Sequence, residues 1–365
     1  MDSTLRDIGF KLDRGERLNA GDGIALFECN DLLGIGRLAQ SVRTRLHGKR
    51  VHYSVNLHLN PTNICVTRCS FCAFSRSSDD PDAYTLSIDE AETRIARAVE
   101  RWGINEVHMV GGHNPALGLD YYTELFRRVA SRFPEVFIKA LSAPEVHDLA
   151  SRSGLSIKET LERLKKSGLG GMPGGGAEIL AAEVRKQICP QKISGEEWLK
   201  VHETAHGLGI PTNATMLYGH VENYADRVDH MMRIRTLQDE THGFRSFVPF
   251  PYCRPGLNAQ DRAGNGATSV TMSSGFTDLK VLSIARLLLD NIPHLKVHWP
   301  ATDFKFALAA LSFGADDIGG TNLHERVMRE AGSLAPAGLS SGDLVRCIRE
   351  ADYEPFLADS SFELR

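Results

Sequence analysis

Tyr53-Ser54-Val55-Asn56-Leu57-His58-Leu59 alternates like a strand, and Asn60-Pro61-Thr62-Asn63-Ile64-Cys65-Val66-Thr67-Arg68-Cys69-Ser70-Phe71-Cys72 follows it without a break. Outward from this strand-and-loop unit, strands and helices take turns. Ser87 caps a helix expected over about 88–102, with Glu90 completing a capping box. The strand Glu106-Val107-His108-Met109-Val110 ends in Gly111-Gly112, and a helix over about 119–132 leads to the strand Val136–Leu141. A helix over about 156–167, a short strand near 169–172 and a helix from Ser194 to about Leu208 come next. The strand Asn213–Tyr218, a helix near 224–239 and the strand Ser246–Pro249 precede a loop rich in Asn, Gly and Ser at about 256–275. A helix over about 277–290, a strand near 294–298, a helix over about 303–313 and a strand at about 315–318 close the series.

About eight strand–helix pairs in strict alternation imply a parallel sheet with right-handed crossovers. The number favours a closed barrel over an open Rossmann sheet. The expected class is therefore α/β, a (βα)8 TIM-type barrel with a helical N-terminal lead-in and a short C-terminal extension. The expected division is 1–50 for the helical lead-in, 51–335 for the barrel and 336–365 for the extension. Chemistry is expected at the carboxyl ends of the strands.

The 42 Lys and Arg against 46 Asp and Glu leave a net charge of −4, which gives no electrostatic reason to expect nucleic acid. No apolar run approaches the ~18–20 residues of a membrane span. Met1-Asp2-Ser3-Thr4-Leu5-Arg6-Asp7 lacks the apolar stretch of a signal peptide, so the expected location is cytoplasmic, away from any membrane. Seven cysteines in 365 residues are too few for a disulfide scaffold. Cys29, Cys189, Cys253 and Cys347 have no partner at motif spacing and are expected to be buried or incidental thiols.

Cys65, Cys69 and Cys72 differ from the rest, because they share one loop in the pattern C-x3-C-x-F-C. A closed zinc site takes four ligands, commonly as two pairs. A cubane iron–sulfur cluster takes one thiolate per iron, so three thiols leave one iron open to a small molecule. The amino and carboxylate groups of a methionine suit that position. Ligation of S-adenosylmethionine there puts its sulfonium beside a reducing cluster, and one electron then yields a 5′-deoxyadenosyl radical. Phe71 offers an aromatic edge to the adenine. The competing readings are a zinc site of three Cys and one His, or three unligated thiols.

The loop, set in a barrel, resembles the radical S-adenosylmethionine superfamily. His58 through Cys65, Cys72-Ala73-Phe74 and Pro173-Gly174-Gly175-Gly176-Ala177-Glu178 look like the branch of aminofutalosine synthase, dehypoxanthine futalosine cyclase and the deazaflavin synthases. Ile188-Cys189-Pro190, Lys192-Ile193-Ser194, Glu197-Trp198-Leu199, Asn213 through His220, Asn291-Ile292-Pro293-His294 and Gly314-Ala315-Asp316-Asp317 look most like the first of these. The resemblance covers about residues 15–335.

Other site residues follow from position. Gly111-Gly112-His113 ends the second strand, where paired glycines let backbone approach a ligand; the resemblance implies that the methionine amino group binds there. Glu178 suits a ribose diol, or alternatively caps the next helix, and Glu145 is a rival for the ribose. Gly219 lies where the superfamily packs backbone against adenine, and His220 and Glu222 are candidate polar or acid–base groups. His58, His113 and His298 could face the barrel mouth. The run Arg233-Ile234-Arg235 is expected on a solvated helix face.

The resemblance implies addition of the adenosyl radical to the enol-ether double bond of 3-[(1-carboxyvinyl)oxy]benzoate. Aryl migration and loss of carboxylate then give 6-amino-6-deoxyfutalosine for menaquinone. S-adenosylmethionine is consumed, and a 4Fe-4S cluster needs an electron donor such as flavodoxin or ferredoxin. Arg76, Arg245 and Arg254 are loop-position candidates for the substrate carboxylates. Departures from the family pattern cluster at 251–255, 297–301 and 319–323. They keep open a different alkene acceptor, beside a hydrogen-abstracting cyclase. A non-enzymatic protein that holds a cluster for structure is the alternative from another class.

Overall fold

The structure, a computed structural model, describes residues 3–253 and 273–362. Three helices, Ser3–Asp13, Ala20–Glu28 and Leu32–His47, form the lead-in. The second begins at an Asn19–Asp22 capping box, and the third packs along the helix Gly275–Leu288.

The barrel strands are short and buried on both faces, as a sheet enclosed by helices requires. Asn56–Leu59, Glu106–Met109 and Phe137–Ala140 pair in parallel, with Leu57 beside Val107 and Val107 beside Ile138. The fourth strand is reduced to the bridges Lys139–Gly171 and Met172–Thr212. Thr212–Tyr218, Phe244–Pro251 and His294–Leu295 continue the order. Lys296–Asp317 joins the eighth strand to the seventh, Leu57–Leu323 closes it on the first, and His52–Asp317 ties it to the strand Arg50–Tyr53. The expected closed barrel is present, although its fourth and eighth members are bridges rather than ladders.

Alternation along these strands sorts the side chains. Leu57, Val107 and Ile138 face the helices, and Trp198 and Phe126 lie fully buried in that outer layer. Truncating either ring would cost roughly 3–5 kcal/mol. Asn56, His58, His108 and Lys139 point inward.

Several elements differ from expectation. The stretch Tyr53–Leu59 is not one strand: Arg50–Tyr53 pairs with the C-terminal strand Glu354–Leu357, and only Asn56–Leu59 enters the barrel. Helices Ala143–Ser153 and Ala182–Ile188 were not anticipated, the first starting at a Ser142–Glu145 capping box. The C-terminal segment reaches under the barrel. Ser360 takes a hydrogen bond from Lys139 Nζ (2.7 Å), and its N–H donates to Glu106 (2.8 Å). Arg235 is buried rather than solvated, donating to the carbonyls of Leu18 and Leu288, while Arg233 pairs with Glu196.

A candidate active site at the carboxyl end of the barrel

Backbone bonds hold the cysteine loop over the mouth. Cys65 N–H donates to Arg76 O (3.0 Å), Val66 N–H to His113 O (3.1 Å) and Ser70 N–H to Ile188 O (3.0 Å). Cys65, Cys69 and Cys72 are half-buried. Burial pushes the Cys69 thiol up to about 12 and raises Cys72, while the Lys192 ammonium acts on both in the opposite sense. Thiolates at these positions therefore need further positive charge. Three soft sulfur donors on one loop fit an iron–sulfur cluster.

Gly112 presses directly against this loop. A Cβ there would lie 2.1 Å from Ile64 O and 2.8 Å from Cys65 Cβ. The neighbouring Gly111 N–H donates to Glu145 Oε1 (2.9 Å). The other oxygen of Glu145 accepts from Ser142 N–H (2.7 Å) and Ser142 Oγ (2.6 Å). Glu145 borders the cavity, and both its oxygens take part in fixing the glycine turn and the helix start. His113 likewise braces the loop, its Nδ1 2.8 Å from Thr67 Oγ1.

Glu178 adopts a left-handed backbone conformation (φ 47°), which turns its carboxylate to the cavity wall. It pairs with Lys192 at 2.6 Å, and Lys192 in turn sits 5.3 Å from the centre of the Phe71 ring. Burial opposes the charge on Lys192, but Glu178 and Cys69 outweigh it and hold the ammonium above its usual range. The expected cap role for Glu178 is absent, because Ala181 precedes the helix Ala182–Ile188.

Gly219, His220 and Glu222 form a closed turn. Glu222 accepts from His220 N–H (2.9 Å) and Gly219 N–H, and takes an ion pair from Arg227 (2.6 Å). Burial works to raise its carboxyl, but Arg227 and the backbone N–H groups of Gly219 and His220 hold it below the usual range. His220 Nε2 donates to Leu217 O (2.9 Å), and its Nδ1 accepts from Val221 N–H (2.8 Å). Among the described residues the cavity is bordered by neither side chain. Their polar atoms shape the turn.

The cavity encloses about 330 Å³ between the cysteine loop and the barrel interior. Phe71, Cys72, Gly111, Glu178 and Lys192 line its upper wall, and His58, His108 and His298 lie deeper. His58 and His108 stack with ring centres 4.6 Å apart, and His298 is 5.9 Å from His58. Burial pushes His58 down to about 4 and His108 and His298 well below their ordinary range. All three are neutral at pH 7, each offering one donor and one acceptor. His58 Nε2 is 2.9 Å from Asn322 Oδ1. Beneath them Lys139 pairs with Glu106 (2.6 Å) and Lys296 with Asp317 (3.1 Å).

Of the arginines expected for the substrate carboxylates, neither Arg76 nor Arg245 lines the cavity. Arg76 is committed to Asp82 (2.9 Å) and Glu330 (3.1 Å), and Arg245 lies at the amino end of its strand, away from the mouth. Arg254 falls outside the described residues. Lys139, Lys296, His108 and Lys192 bring cationic and N–H groups to the cavity wall. The alternating polar positions of the inward strand faces were the signal for three of them. Cys189, set aside as incidental, is buried behind the loop and acts electrostatically on Cys69.

Residues 59–234 match the family model described as Radical SAM superfamily, and residues 241–365 match the CofH/MqnC C-terminal region. The chain is 41% identical to an aminodeoxyfutalosine synthase of Thermus thermophilus, over 99% of this chain and 96% of that one. It is 40% identical to one of Streptomyces coelicolor, over 100% and 95%. It is 37% identical to a 5-amino-6-(D-ribitylamino)uracil–L-tyrosine 4-hydroxyphenyl transferase of Methanopyrus kandleri, over 96% and 93%. Among solved structures, methylornithine synthase (PylB) superposes with a TM-score of 0.74 at 16% identity, covering 97% of this chain and 98% of that chain. That likeness speaks for the barrel fold. No helix of the described residues is long and apolar enough to cross a membrane.

Proposed function

The chain belongs to the radical S-adenosylmethionine superfamily, and from that premise we propose that it is an aminodeoxyfutalosine synthase. Enzymes of this family use a 4Fe-4S cluster and S-adenosylmethionine. When bound, the pair supplies a 5′-deoxyadenosyl radical by one-electron cleavage of the S–C5′ bond. The observation that carries the reading is the single cavity joining Cys72 and Phe71 to Glu178, Lys192 and the three neutral histidines.

In this reading Cys65, Cys69 and Cys72 would hold the cluster, and Gly111 and Gly112 would receive the methionine amino group. Glu178 accepts from the ribose hydroxyls, Lys192 faces the methionine carboxylate, and Phe71 and Gly219 border the adenine. The acceptor, 3-[(1-carboxyvinyl)oxy]benzoate, occupies the deeper part. His108 and His298 donate N–H groups to its carboxylates, with Lys139 and Lys296 below them adding positive potential, while the single N–H of His58 goes to Asn322 Oδ1. Val110, Leu217, Val248 and Phe250 exclude water from the reacting carbons. The chain's contribution is positioning: the adenosyl C5′ joins the methylene carbon, the aryl group moves from oxygen to carbon, and the carboxylate leaves as the carbon dioxide radical anion, which gives back the electron spent on cleavage and becomes carbon dioxide. The product is 6-amino-6-deoxyfutalosine, a step of menaquinone biosynthesis. A flavodoxin or ferredoxin supplies the electron.

Anaerobic turnover with the enolpyruvyl benzoate and S-adenosylmethionine tests this by mass spectrometry. The adenosyl adduct should form one-for-one with methionine. A second reading, addition to a different alkene, draws support from Pro251, Tyr252, Cys253, His298, Gly319 and Asn322, all on the cavity wall. These belong to the segments that depart from the family pattern. Under it the enolpyruvyl benzoate gives no adduct although S-adenosylmethionine is still cleaved. Free 5′-deoxyadenosine formed in step with a different product points to hydrogen abstraction.

A further inference from the structure

At the amino end of the barrel, remote from the cysteine loop, three imidazoles surround one carboxylate. His47 ends the helix Leu32–His47, His52 lies in the strand Arg50–Tyr53, His294 opens the seventh strand and Asp316 precedes the eighth. Their donor atoms all lie within 4.8 Å of one another. Asp316 Oδ2 is 2.6 Å from His294 Nδ1 and 3.5 Å from both His47 Nε2 and His52 Nδ1. We propose that His47, His52, His294 and Asp316 bind a zinc ion.

Three observations support this site. First, His52 is only 8% exposed, and its Nδ1 is buried with no hydrogen-bond partner while facing the carboxylate. An orphaned imidazole nitrogen is costly to bury and is an available ligand. Second, the carboxylate is oriented. Asp316 Oδ1 is occupied by Leu295 N–H (2.8 Å) and the Arg286 guanidinium, which leaves Oδ2 for the imidazoles. Ligating carboxylates are commonly held in this way by outer partners. Third, a tetrahedral zinc with bonds of about 2.0–2.1 Å sets its donors about 3.3 Å apart, close to the two 3.5 Å separations.

Binding needs modest rearrangement. The bond from His294 Nδ1 to Asp316 opens and that ring carries its proton on Nε2. His47, now donating from Nε2 to Pro293 O at 2.9 Å, carries its proton on Nδ1. Pro293 O keeps Arg286 as a donor (3.1 Å). Phe362 stacks on His294 with centres 3.7 Å apart, and Phe356 stands 5.3 Å from His52, so the C-terminal segment walls the site. Nitrogen-rich donors with one carboxylate favour zinc over magnesium or calcium, which prefer oxygen. The ion would tie the lead-in helix and the strand Arg50–Tyr53 to the seventh and eighth strands, which are otherwise joined there by isolated bridges.

The test uses the full chain with Cys65, Cys69 and Cys72 replaced by Ser, which removes the thiols that would take zinc at the cluster loop. Zinc titrated against a chromophoric chelator should bind one-to-one. Its X-ray absorption spectrum should show nitrogen and oxygen near 2.0–2.1 Å, with imidazole outer shells and no sulfur. Adding His52→Phe or His294→Phe should reduce binding at least tenfold. If those variants lose their helical circular dichroism, the spectrum of the parent decides alone. Absence of zinc, sulfur in its first shell, or unchanged affinity in a folded His variant overturns the site.

Discussion

Lys192 places its ammonium 2.6 Å from the Glu178 carboxylate, and the pair is buried on the cavity wall with 14% and 11% side-chain exposure. Removing one member leaves a buried charge uncompensated, at a cost of about 3–5 kcal/mol. Lys192→Met should lower stability and weaken S-adenosylmethionine binding by at least tenfold. The double variant Lys192→Met/Glu178→Gln should regain most of the stability but not the binding. Chemical denaturation and equilibrium dialysis measure the two separately. Recovery of both would reduce the pair to a structural salt bridge.

Gly112→Ala tests the approach of the second strand to the cysteine loop. The added Cβ meets Ile64 O at 2.1 Å, a backbone atom that has no rotamer to escape into. Overpacking of this kind costs typically 1–3 kcal/mol and displaces the neighbouring chain. Iron and sulfide bound after anaerobic reconstitution should fall to a minor fraction of wild type, while the far-ultraviolet spectrum is retained. Full loading in Gly112→Ala would show that the loop has slack.

Cys189 is the thiol that could compromise the open iron, since it lies close enough to act electrostatically on Cys69. Cys189→Ser should leave the cluster's iron content and electron paramagnetic resonance signal unchanged, because the three loop thiols suffice. Cys69→Ser should lose most of the iron and all cleavage of S-adenosylmethionine. Equal loss in the two variants would mean four protein ligands and no position for the sulfonium nucleotide.

His298 separates the acceptor from the cofactor. It lies 5.2 Å from Phe250 and 5.9 Å from His58, in the deep part of the cavity. His298→Ala should raise the KM for the acceptor about tenfold or more, as expected for loss of an N–H bond to a charged group. Cleavage of S-adenosylmethionine should continue, with more free 5′-deoxyadenosine per adduct. A fall in cleavage with an unchanged KM would move His298 to the cofactor's side.

What could be read in advance follows from how local each feature is. The cluster loop, the Ser87–Glu90 capping box and the helix Leu119–Arg132 are encoded within a few neighbouring residues, and their positions were legible. The pairing of Arg50–Tyr53 with Glu354–Leu357 joins segments some three hundred residues apart and has no local signature. Lys192 escaped because its partner, Glu178, is supplied by a left-handed turn before the intervening helix. The turn-stitching bonds of His220 and Glu222 had no signal in advance, because a strand-end His and Glu look the same in sequence whether they face a substrate or stitch a turn. Asn56 with His58, and Glu106 with His108, carried a usable signal. Polar residues at every second position of a strand buried on both faces must point at something polar inside the barrel.

His230 supplies a prediction about pH. Its Nε2 donates to Thr215 O (2.9 Å) and its Nδ1 accepts from Leu180 N–H (3.2 Å), so a second ring proton would confront a donor. Burial accordingly pushes it down to about 3, and His58 and His206 down to about 4, from 6.5. Below pH 6.5 the unfolded chain binds protons that the folded chain refuses, so stability rises with pH across that interval. It should be fully present above about 6.5 and lost progressively toward 4, on the order of a few kcal/mol per ring at full extent. Urea midpoints of the cluster-free chain between pH 7.5 and 4.5 should trace this slope. His230→Gln keeps a donor for Thr215 and an acceptor for Leu180 but cannot titrate, so its slope should be shallower by up to about one proton. Parallel curves for the two proteins would show that the His230 ring takes up its proton without unfolding.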